Sequence, residues 1–330
     1  AAGRGRGGLA VRVIEGGRDE LDDECLLRRL YNEDTPAIIK GCDLGQCRTL
    51  WKDSHSFARA GGSRSVSVQV SNDSEMDFTN RNFEYKMIGF DELVARASRT
   101  QPSSPYYYFR STSANRTSVP DFWTQWPELA PDVRMPRALP RDKVFSSVLR
   151  ICSKGCLLFT HYDVMDNLLL QVRGRKHVVL YPPFDYDYLY IGANGKSSVR
   201  NPRQYDIERF PLMKFARPYE CLLEEGDILY IPALWFHNVV ALEFSVALNI
   251  FWRRLESSAY DPKDTFGNRD FLASQRAHSG VWKAIKTLSS LPKYYQDFEA
   301  RRLIKIIRDR LITSNNETTS GRNPMSDPAR

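Results

Sequence analysis

The chain has 330 residues, of which 42% are hydrophobic and 12% aromatic. This composition is that of a folded globular protein and excludes the class of chains that stay disordered. The apolar runs are short and interrupted, so no segment resembles a membrane-spanning helix, which needs about 20 apolar residues. A formal net charge of +7 and a pI near 9.0 favour an acidic partner such as a nucleic acid, but charge alone names no ligand.

Six cysteines are scattered through the chain without the paired CxxC spacing of a zinc site. The sequence shows no secretory signal, so we expect a reducing compartment, either cytoplasmic or nuclear. We expect the thiols to act as small buried hydrophobic groups. The six are Cys25, Cys42, Cys47, Cys152, Cys156 and Cys221.

The first part of the chain predicts a leader followed by mixed elements. Residues 1–10 are rich in Gly and Arg and have little to bury, so we expect them to be disordered. Residues 11–143 are predicted to form strands and helices that flank a central domain. They open with a helix over 19–31 and a buried strand over 36–39. A half-buried strand follows over 63–70, where valines alternate with polar residues.

The central part predicts a β-domain. Residues 144–256 contain short strand-like runs separated by turn signals such as Arg173-Gly174 and Asn194-Gly195. Regular short strands with such turns predict an antiparallel barrel or sandwich.

The last part predicts helices and a tail. Over residues 257–313 apolar residues recur at helical spacing, in one stripe through Val281 and Ile285 and in another through Ile304 and Ile307. We expect these helices to form a separate layer. Residues 314–330 are polar and are predicted to be disordered.

The segment Thr160-His161-Tyr162-Asp163 places an imidazole and a carboxylate two residues apart. If the segment is a strand, both side chains lie on one face. His237, at the end of the apolar run 228–236, offers a third ligand from far along the chain. Two histidines and one carboxylate on one side of a metal form the facial triad of non-haem iron(II) oxygenases. An HxD pair alone is more often structural, so the triad needs independent support.

Two neighbouring residues compete for the role of metal ligand. Asp166 lies an odd number of residues from His161 and would face away from it if the strand continues. His177 follows Lys176 on the next predicted strand, where we interpret it as core-facing or exposed.

Independent support comes from polar residues on the hairpin that follows. Lys176 lies just after the Arg173-Gly174 turn in an otherwise apolar strand, where an unpaired ammonium is costly to bury. It needs an anionic partner, and the distal carboxylate of 2-oxoglutarate would serve. Asn167, beside the candidate metal strand, could hydrogen-bond the same molecule.

The spacing of His161, Asp163, Asn167 and Lys176, followed by a GDxxxxPxxWxH motif that ends at His237, resembles the JmjC oxygenases. Within them it is close to the asparaginyl hydroxylase that acts on hypoxia-inducible factor. Longer segments, THYDVMDNLLLQVRGRKHVVLYPP, AGGSRSVSVQV and YDPKDTFGNRD, resemble the tRNA wybutosine hydroxylases. This similarity runs from about residue 11 to residue 311.

The resemblance implies a mainly β protein with helices, whose core over 144–256 is a double-stranded β-helix of the jelly-roll, or cupin, type. It implies Fe(II) as cofactor, with 2-oxoglutarate and O2 as co-substrates. The iron ligands would be His161, Asp163 and His237, and the 2-oxoglutarate pocket would contain Tyr108, Asn167, Lys176 and Asn249. Tyr108 is selected by the resemblance alone, since it is one of three consecutive tyrosines. Asn249 is equally well explained as a hydrogen-bonded core residue.

The resemblance also implies a function, namely hydroxylation of the wybutosine side chain of phenylalanine tRNA to hydroxywybutosine, with release of succinate and CO2. It implies a homodimer formed through residues 281–311 and no membrane partner. Basic residues that could meet tRNA phosphates are equally well explained as solvated surface positions. They are Arg173 and Arg175, expected near the pocket mouth, Arg253 and Arg254, and Arg301, Arg302, Lys305 and Arg308 on the last helix.

Two other functions remain open from the residues. A JmjC protein hydroxylase or lysyl demethylase would share every site residue named above. A cupin-like scaffold without turnover would not need the triad together with Lys176 and Asn167.

Overall fold

The computed structural model describes residues 2–3, 8–16, 24–78, 80–99, 105–113, 117–135, 139, 141–192 and 195–312. The expected disordered tail, 314–330, lies outside these residues, as do residues 1 and 4–7 of the leader. Within the described ranges no helix combines the length and the apolar character that crossing a membrane requires.

The described residues form short strands and helices. The strands are β1 (Ala2–Gly3), β2 (Leu9–Ala10), β3 (Arg12–Glu15), β4 (Ala37–Lys40), β5 (Ser65–Ser71), β6 (Glu75–Met76), β7 (Glu84–Gly89), β8 (Tyr106–Arg110), β9 (Val144–Cys152), β10 (Leu157–His161), β11 (Asp166–Arg173), β12 (Lys176–Tyr181), β13 (Tyr205–Asp206), β14 (Tyr219–Leu223), β15 (Ile228–Ile231), β16 (Phe236–Ala241) and β17 (Ser245–Trp252). The helices are α1 (Glu24–Glu33), α2 (Cys47–Leu50), α3 (Ser54–Gly61), α4 (Phe90–Ala97), α5 (Phe122–Gln125), α6 (Leu272–Leu288) and α7 (Lys293–Leu311).

Two large sheets organise the domain. In the described residues the larger sheet has nine strands in the order β3-β4-β15-β11-β17-β9-β8-β5-β7. The smaller sheet has six, in the order β2-β14-β12-β16-β10-β6. Leu169 and Ala247 of the larger sheet share one buried core with Val178 and Leu223 of the smaller sheet. The chain thus forms a β-sandwich, which confirms the predicted jelly-roll fold of the cupin type.

Predicted elements of the N-terminal region are present with shifted ends. The helix expected over 19–31 is α1, the buried strand expected over 36–39 is β4, and the half-buried strand is β5. β4, β5, β7 and β8 extend the larger sheet beyond the strands of the central domain. This part of the chain therefore lies beside the strands of the central domain.

The expected disorder of residues 1–10 is wrong for part of the leader. β2 pairs in parallel with β14, and the Leu9 amide donates to the carbonyl of Pro218 at 2.8 Å. β1 pairs with β13. The Leu9 side chain is 53% exposed, so main-chain hydrogen bonds rather than side-chain burial hold this segment. Composition predicts burial and does not predict this pairing.

Five cysteines whose side chains the structure describes are buried and carry free thiols, as expected. Burial raises the pKa of Cys47 and of Cys221 to about 12, so these thiols stay protonated at neutral pH. The free cysteines are Cys42, Cys47, Cys152, Cys156 and Cys221.

The chain divides into two compact units, residues 1–269 and residues 270–330. The second unit contains the helices α6 and α7, so both helices predicted near the C-terminus are present. The helical part begins at Leu272 rather than at residue 257, because residues 257–269 belong to the first unit.

Alternation along the strands gives the larger sheet two different faces. Val68 of β5, Phe109 of β8 and Leu149 of β9 pack in the large apolar core on one face. Their chain neighbours point to the opposite face, because successive side chains of a strand alternate. Those neighbours include Gln69, Tyr108 and Arg150, so polar groups gather on the face turned toward the smaller sheet.

A buried ion pair holds the end of the larger sheet together. Asp166, the first residue of β11, is fully buried. Arg254 donates from Nε to its Oδ2 at 2.9 Å and from Nη2 to its Oδ1 at 2.8 Å. The Ala233 amide donates to Oδ1 at 2.9 Å. One carboxylate thus ties β11 to the segment after β17 and to the turn before β16.

We expect Asp166→Ala to lower the free energy of unfolding by about 3–5 kcal/mol, because it leaves the partly buried Arg254 guanidinium and the Ala233 amide without the buried carboxylate that both contact. Urea denaturation measures this loss. Asp34→Asn is the matched control, since Asp34 is an exposed partner of the same guanidinium at 2.7 Å. It should cost no more than about 1 kcal/mol. Equal losses in the two variants would contradict the assignment.

Candidate metal centre

The structure brings His161, Asp163 and His237 together. His161 ends β10 and His237 is the second residue of β16, and the two face each other as direct cross-strand partners. One ligand atom from each of the three residues lies within 4.8 Å of the others. His237 Nε2 lies 3.6 Å from Asp163 Oδ2. Two imidazoles and one carboxylate are a donor set that suits a divalent transition metal.

Main-chain carbonyls fix the orientation of both imidazoles. Nδ1 of His161 lies 2.8 Å from the carbonyl oxygen of Phe159, and Nδ1 of His237 lies 3.1 Å from that of Trp235. Each contact is a hydrogen bond when Nδ1 carries the proton, which leaves the lone pair on Nε2. Each histidine is thus held by the residue two places before it, in the tautomer that a metal needs.

Burial keeps His161 neutral. It lowers the pKa of His161 to about 4, and the nearby His237 ring adds to this effect. A neutral imidazole is the form that ligates a metal, so no proton has to leave His161 at pH 7.

Asp163 lies on a different kind of element from the one predicted. The strand β10 ends at His161, so Asp163 lies in the following turn and not on a continuing strand. The carbonyl of Asp163 accepts from the Leu234 amide at 2.8 Å. Leu234 has a φ of 69°, a left-handed conformation that is unfavourable for leucine. A strained turn thus holds the carboxylate segment beside β16.

The two competing ligands lie outside the cluster. Asp166 is engaged by Arg254, as described above. His177 lies on the other face of β12, with Nε2 at 3.2 Å from Glu220 Oε2 and Nδ1 at 2.7 Å from Arg203 Nη1. His177 is therefore not a ligand of this cluster, in agreement with its interpretation from the sequence.

Lys176 is buried without a counter-ion. It is 4% exposed, and within the described part of the chain it forms no ion pair. Burial lowers the pKa of Lys176 to about 8. A buried ammonium without a partner is costly, which points to an anion that is bound during function.

The other expected pocket residues lie on the same face of the larger sheet. Asn249 Nδ2 donates to Asn167 Oδ1 at 3.0 Å, which links β17 to β11. Asn249 Oδ1 is buried and accepts no hydrogen bond from the described residues. Asn249 is therefore only half satisfied as a core residue, and its free oxygen suits a donor on a ligand or a water molecule. Tyr108 is buried, and its hydroxyl accepts from Arg150 Nη1.

A cavity of about 340 Å³ opens onto the cluster. Residues that were not predicted contribute to it, chiefly Arg110, Arg150 and Lys196. Their signal in the sequence is weak, because a single polar residue in a strand does not show what lies opposite it. The lining includes Gln69, Phe78, Tyr108, Arg110, Arg150, Phe159, His161, Asp163, Lys196, Phe251 and Phe266.

Basic residues expected near the pocket mouth lie elsewhere. Neither Arg173 nor Arg175 lines this cavity. Arg175 pairs with Glu243 at 2.7 Å, and Arg173 packs against the Phe244 ring. They occupy the turn between β11 and β12, at the opposite end of β11 from Asp166.

We expect Asp163→Ala and His237→Ala to abolish tight binding of Mn(II) or Fe(II) in an anaerobic titration, because each removes one of three ligands. His177→Ala is the matched control, since it removes a histidine from the neighbouring strand and should bind metal like the unaltered protein. Retention of tight binding in Asp163→Ala would contradict the assignment of this centre.

Comparison with known proteins agrees with the fold. A family model described as a cupin-like domain matches residues 23–258. A human protein named tRNA wybutosine-synthesizing protein 5 is 43% identical over 316 residues, which cover 94% of this chain and 98% of that protein. The Gallus gallus protein of the same name is 43% identical over 305 residues, with 90% and 95% covered. An Aspergillus oryzae protein named tRNA wybutosine-synthesizing protein 4 is 35% identical over 289 residues, only 27% of its length.

The fold and the family model define a cupin-like domain protein, which fits the JmjC superfamily indicated by the sequence motifs. In both vertebrate comparisons the alignment covers at least 90% of this chain and of the relative. The chain belongs to the family of tRNA wybutosine-synthesizing protein 5. The resemblance drawn from the motifs is confirmed at the level of this family.

Proposed function

We propose that the protein is an Fe(II)- and 2-oxoglutarate-dependent hydroxylase that acts on the wybutosine side chain of phenylalanine tRNA. The product would be hydroxywybutosine, with succinate and CO2 released. The observation that carries the proposal is the joint presence of the His161, Asp163 and His237 cluster and the buried, unpaired Lys176 in a member of this family.

The residues present fit the implied cofactor. His161, Asp163 and His237 would hold iron(II), because two neutral imidazoles and a carboxylate form the donor set of the facial triad. When bound, iron(II) together with 2-oxoglutarate and O2 supplies the oxidising power needed to hydroxylate a carbon atom. The protein contributes binding, orientation and the exclusion of water.

Lys176 and the two asparagines would bind 2-oxoglutarate. The Lys176 ammonium would pair with the distal carboxylate, which supplies the anion that the buried cation lacks. The unpartnered Asn249 Oδ1 faces the same region through its link to Asn167. Tyr108 lies on β8 directly opposite Cys152 of β9. The Cys152 thiol in turn interacts electrostatically with Lys176. These four residues remain a proposed pocket.

We expect Lys176→Met to weaken 2-oxoglutarate binding at least about tenfold, since it removes a charge-assisted hydrogen bond. Calorimetric titration of the Mn(II)-loaded protein without O2 measures this. Mn(II) affinity should not change, because Lys176 is not a ligand. Unchanged 2-oxoglutarate affinity would contradict the role of Lys176.

The same variant tests the burial of the ammonium through pH. The pKa of Lys176 lies at about 8, below its ordinary value of 10.5. Between these values the unfolded chain binds more protons, so the free energy of unfolding of the ligand-free protein rises with pH. Below about pH 8 the free-energy cost of burying the Lys176 ammonium is fully present. Lys176→Met should therefore be at least as stable as the unaltered protein at pH 7, with the difference shifting toward the unaltered protein as pH rises above 8.

The experiment that tests the function uses tRNA from cells that lack the protein. Incubation with the protein, Fe(II), 2-oxoglutarate and O2 should add one oxygen atom to the modified base, as measured by mass spectrometry, with matching succinate release. Asp163→Ala should do neither. Hydroxylation or demethylation of histone or ankyrin-type peptides, with no change in the tRNA, would replace this proposal with the protein-modifying alternative.

We also propose a homodimer formed through residues 281–311, in a cytoplasmic or nuclear setting. Val281, Trp282 and Ile285 of α6 are exposed by 46%, 64% and 47%, and α7 exposes Ile304 and Ile307. Monomeric proteins rarely leave so many large apolar side chains in contact with water.

We expect Ile304→Asp combined with Ile307→Asp to halve the mass measured by sedimentation, because two charges would be buried at the dimer contact. Lys305→Asp places the same side chain on the same helix and should leave the mass unchanged. A double variant that keeps the dimer mass would rule out this face.

A further inference from the structure

Two arginines face each other beside the metal centre. Arg110 ends β8 and Arg150 lies on β9, and the two are direct cross-strand partners. Both line the cavity that contains His161 and Asp163. Like charges placed directly opposite each other destabilise a sheet. This pairing therefore has a cost that the fold itself does not require.

Neither arginine has a carboxylate partner among the described residues. Arg110 Nη2 donates to the Phe266 carbonyl at 3.0 Å, and its guanidinium lies 5.2 Å from the centre of the Phe266 ring. Arg150 donates to the Tyr108 hydroxyl, and its Nε is buried without a partner. Burial and the neighbouring Arg150 lower the pKa of Arg110 to about 10, which still leaves it charged at pH 7. Arg150 thus keeps a free donor, and neither guanidinium group is in ion-pair contact with a carboxylate of the described residues.

The proposed co-substrate does not supply the missing anion. Iron(II), Asp163, Lys176 and the 2-oxoglutarate dianion together carry no net charge. With that pocket filled, the two guanidinium groups still add two positive charges to the cavity. A further anion has to come from the substrate.

We propose that Arg110 and Arg150 form an oxyanion subsite that binds a carboxylate or phosphate of the substrate and positions it next to the metal centre. The inference rests on the proposed function and deepens it. A guanidinium fork matches the two oxygens of either group.

The surroundings of the arginines suit an aromatic base that carries or adjoins the anion. The rings of Phe78, Phe159 and Phe266 line the same cavity and offer flat apolar faces. Aromatic faces of this kind stack on nucleobases. A methylated lysine is a cation, which two unpaired arginines would repel. The subsite therefore favours a nucleotide over the substrate of a lysyl demethylase.

The test separates co-substrate binding from substrate binding. The full-length protein is loaded with Mn(II) without O2, and its affinities for 2-oxoglutarate and for tRNA from cells lacking the protein are measured. In Arg110→Met and Arg150→Met we expect 2-oxoglutarate affinity within about twofold of the unaltered protein, and tRNA affinity at least about tenfold weaker. Arg110→Lys and Arg150→Lys keep the positive charge and should bind tRNA more tightly than the methionine variants. Arg175→Met removes the same charge at the far turn and should change tRNA affinity no more than about twofold.

A second arm identifies the source of the oxyanion. The same tRNA is used after the modified base has been excised. If the subsite binds a group on the base, the methionine variants and the unaltered protein will bind this tRNA equally well. If it binds a backbone phosphate, the tenfold difference will persist. Either result supports the subsite.

A third arm does not depend on tRNA. Titration with inorganic phosphate and with acetate should raise the melting temperature of the Mn(II)- and 2-oxoglutarate-loaded protein, but not that of either methionine variant.

Two results would overturn the inference. The first is a tenfold loss of 2-oxoglutarate affinity in either methionine variant, which would assign the arginines to the co-substrate. The second is anion and tRNA binding equal to that of the unaltered protein. A protein that binds neither Mn(II) nor 2-oxoglutarate would instead refute the proposed function, and that failure is visible before any variant is compared.

Discussion

The alternation of side chains across the larger sheet is the constraint on which the site depends. Each strand that crosses the site has to serve two environments, because neighbouring residues point to opposite faces. Phe109 and Leu149 fill an apolar core, while Tyr108 and Arg150 reach the cavity. A shift of any of these strands by one residue would bury the polar set in the apolar core. The same apolar packing that stabilises the domain therefore fixes the register of the site.

Three cations on the two facing sheets differ in their surroundings. Lys176 is buried and forms no ion pair with the described residues. Arg110 and Arg150 line the cavity and are crowded against each other as cross-strand partners. Unpaired charges in a poorly hydrated cavity select strongly against ligands of like charge. Under the proposed function, these cations suit an enzyme with an anionic co-substrate and an anionic substrate.

The sequence predicts those parts of the fold that depend on local patterns. The valines at 66, 68 and 70 predicted β5, and the helical stripes predicted α6 and α7. The cluster of His161, Asp163 and His237 could be proposed from spacing and resemblance, although the strand proposed for Asp163 is a turn.

What the sequence could not provide depends on pairing between distant segments. Arg110 and Arg150 are forty residues apart in the chain, and only the register of β8 against β9 makes them neighbours. The contact of Asp166 with Arg254 likewise joins residues 88 positions apart. Leu9 and Ala10 were missed because main-chain pairing leaves no mark on composition. The periodicity of residues within one segment does not show which distant segment pairs with it.

The carbonyl contacts of the two histidines have a consequence for how the site takes up its metal. Since the main chain already orients both imidazoles, binding of the ion would restrict rotation about few additional side-chain bonds. Little of the binding free energy is then consumed by loss of side-chain entropy. The ion could leave and return while the sandwich stays folded. Loss of the ion would in that case be reversible, because fresh metal could bind again to the folded chain.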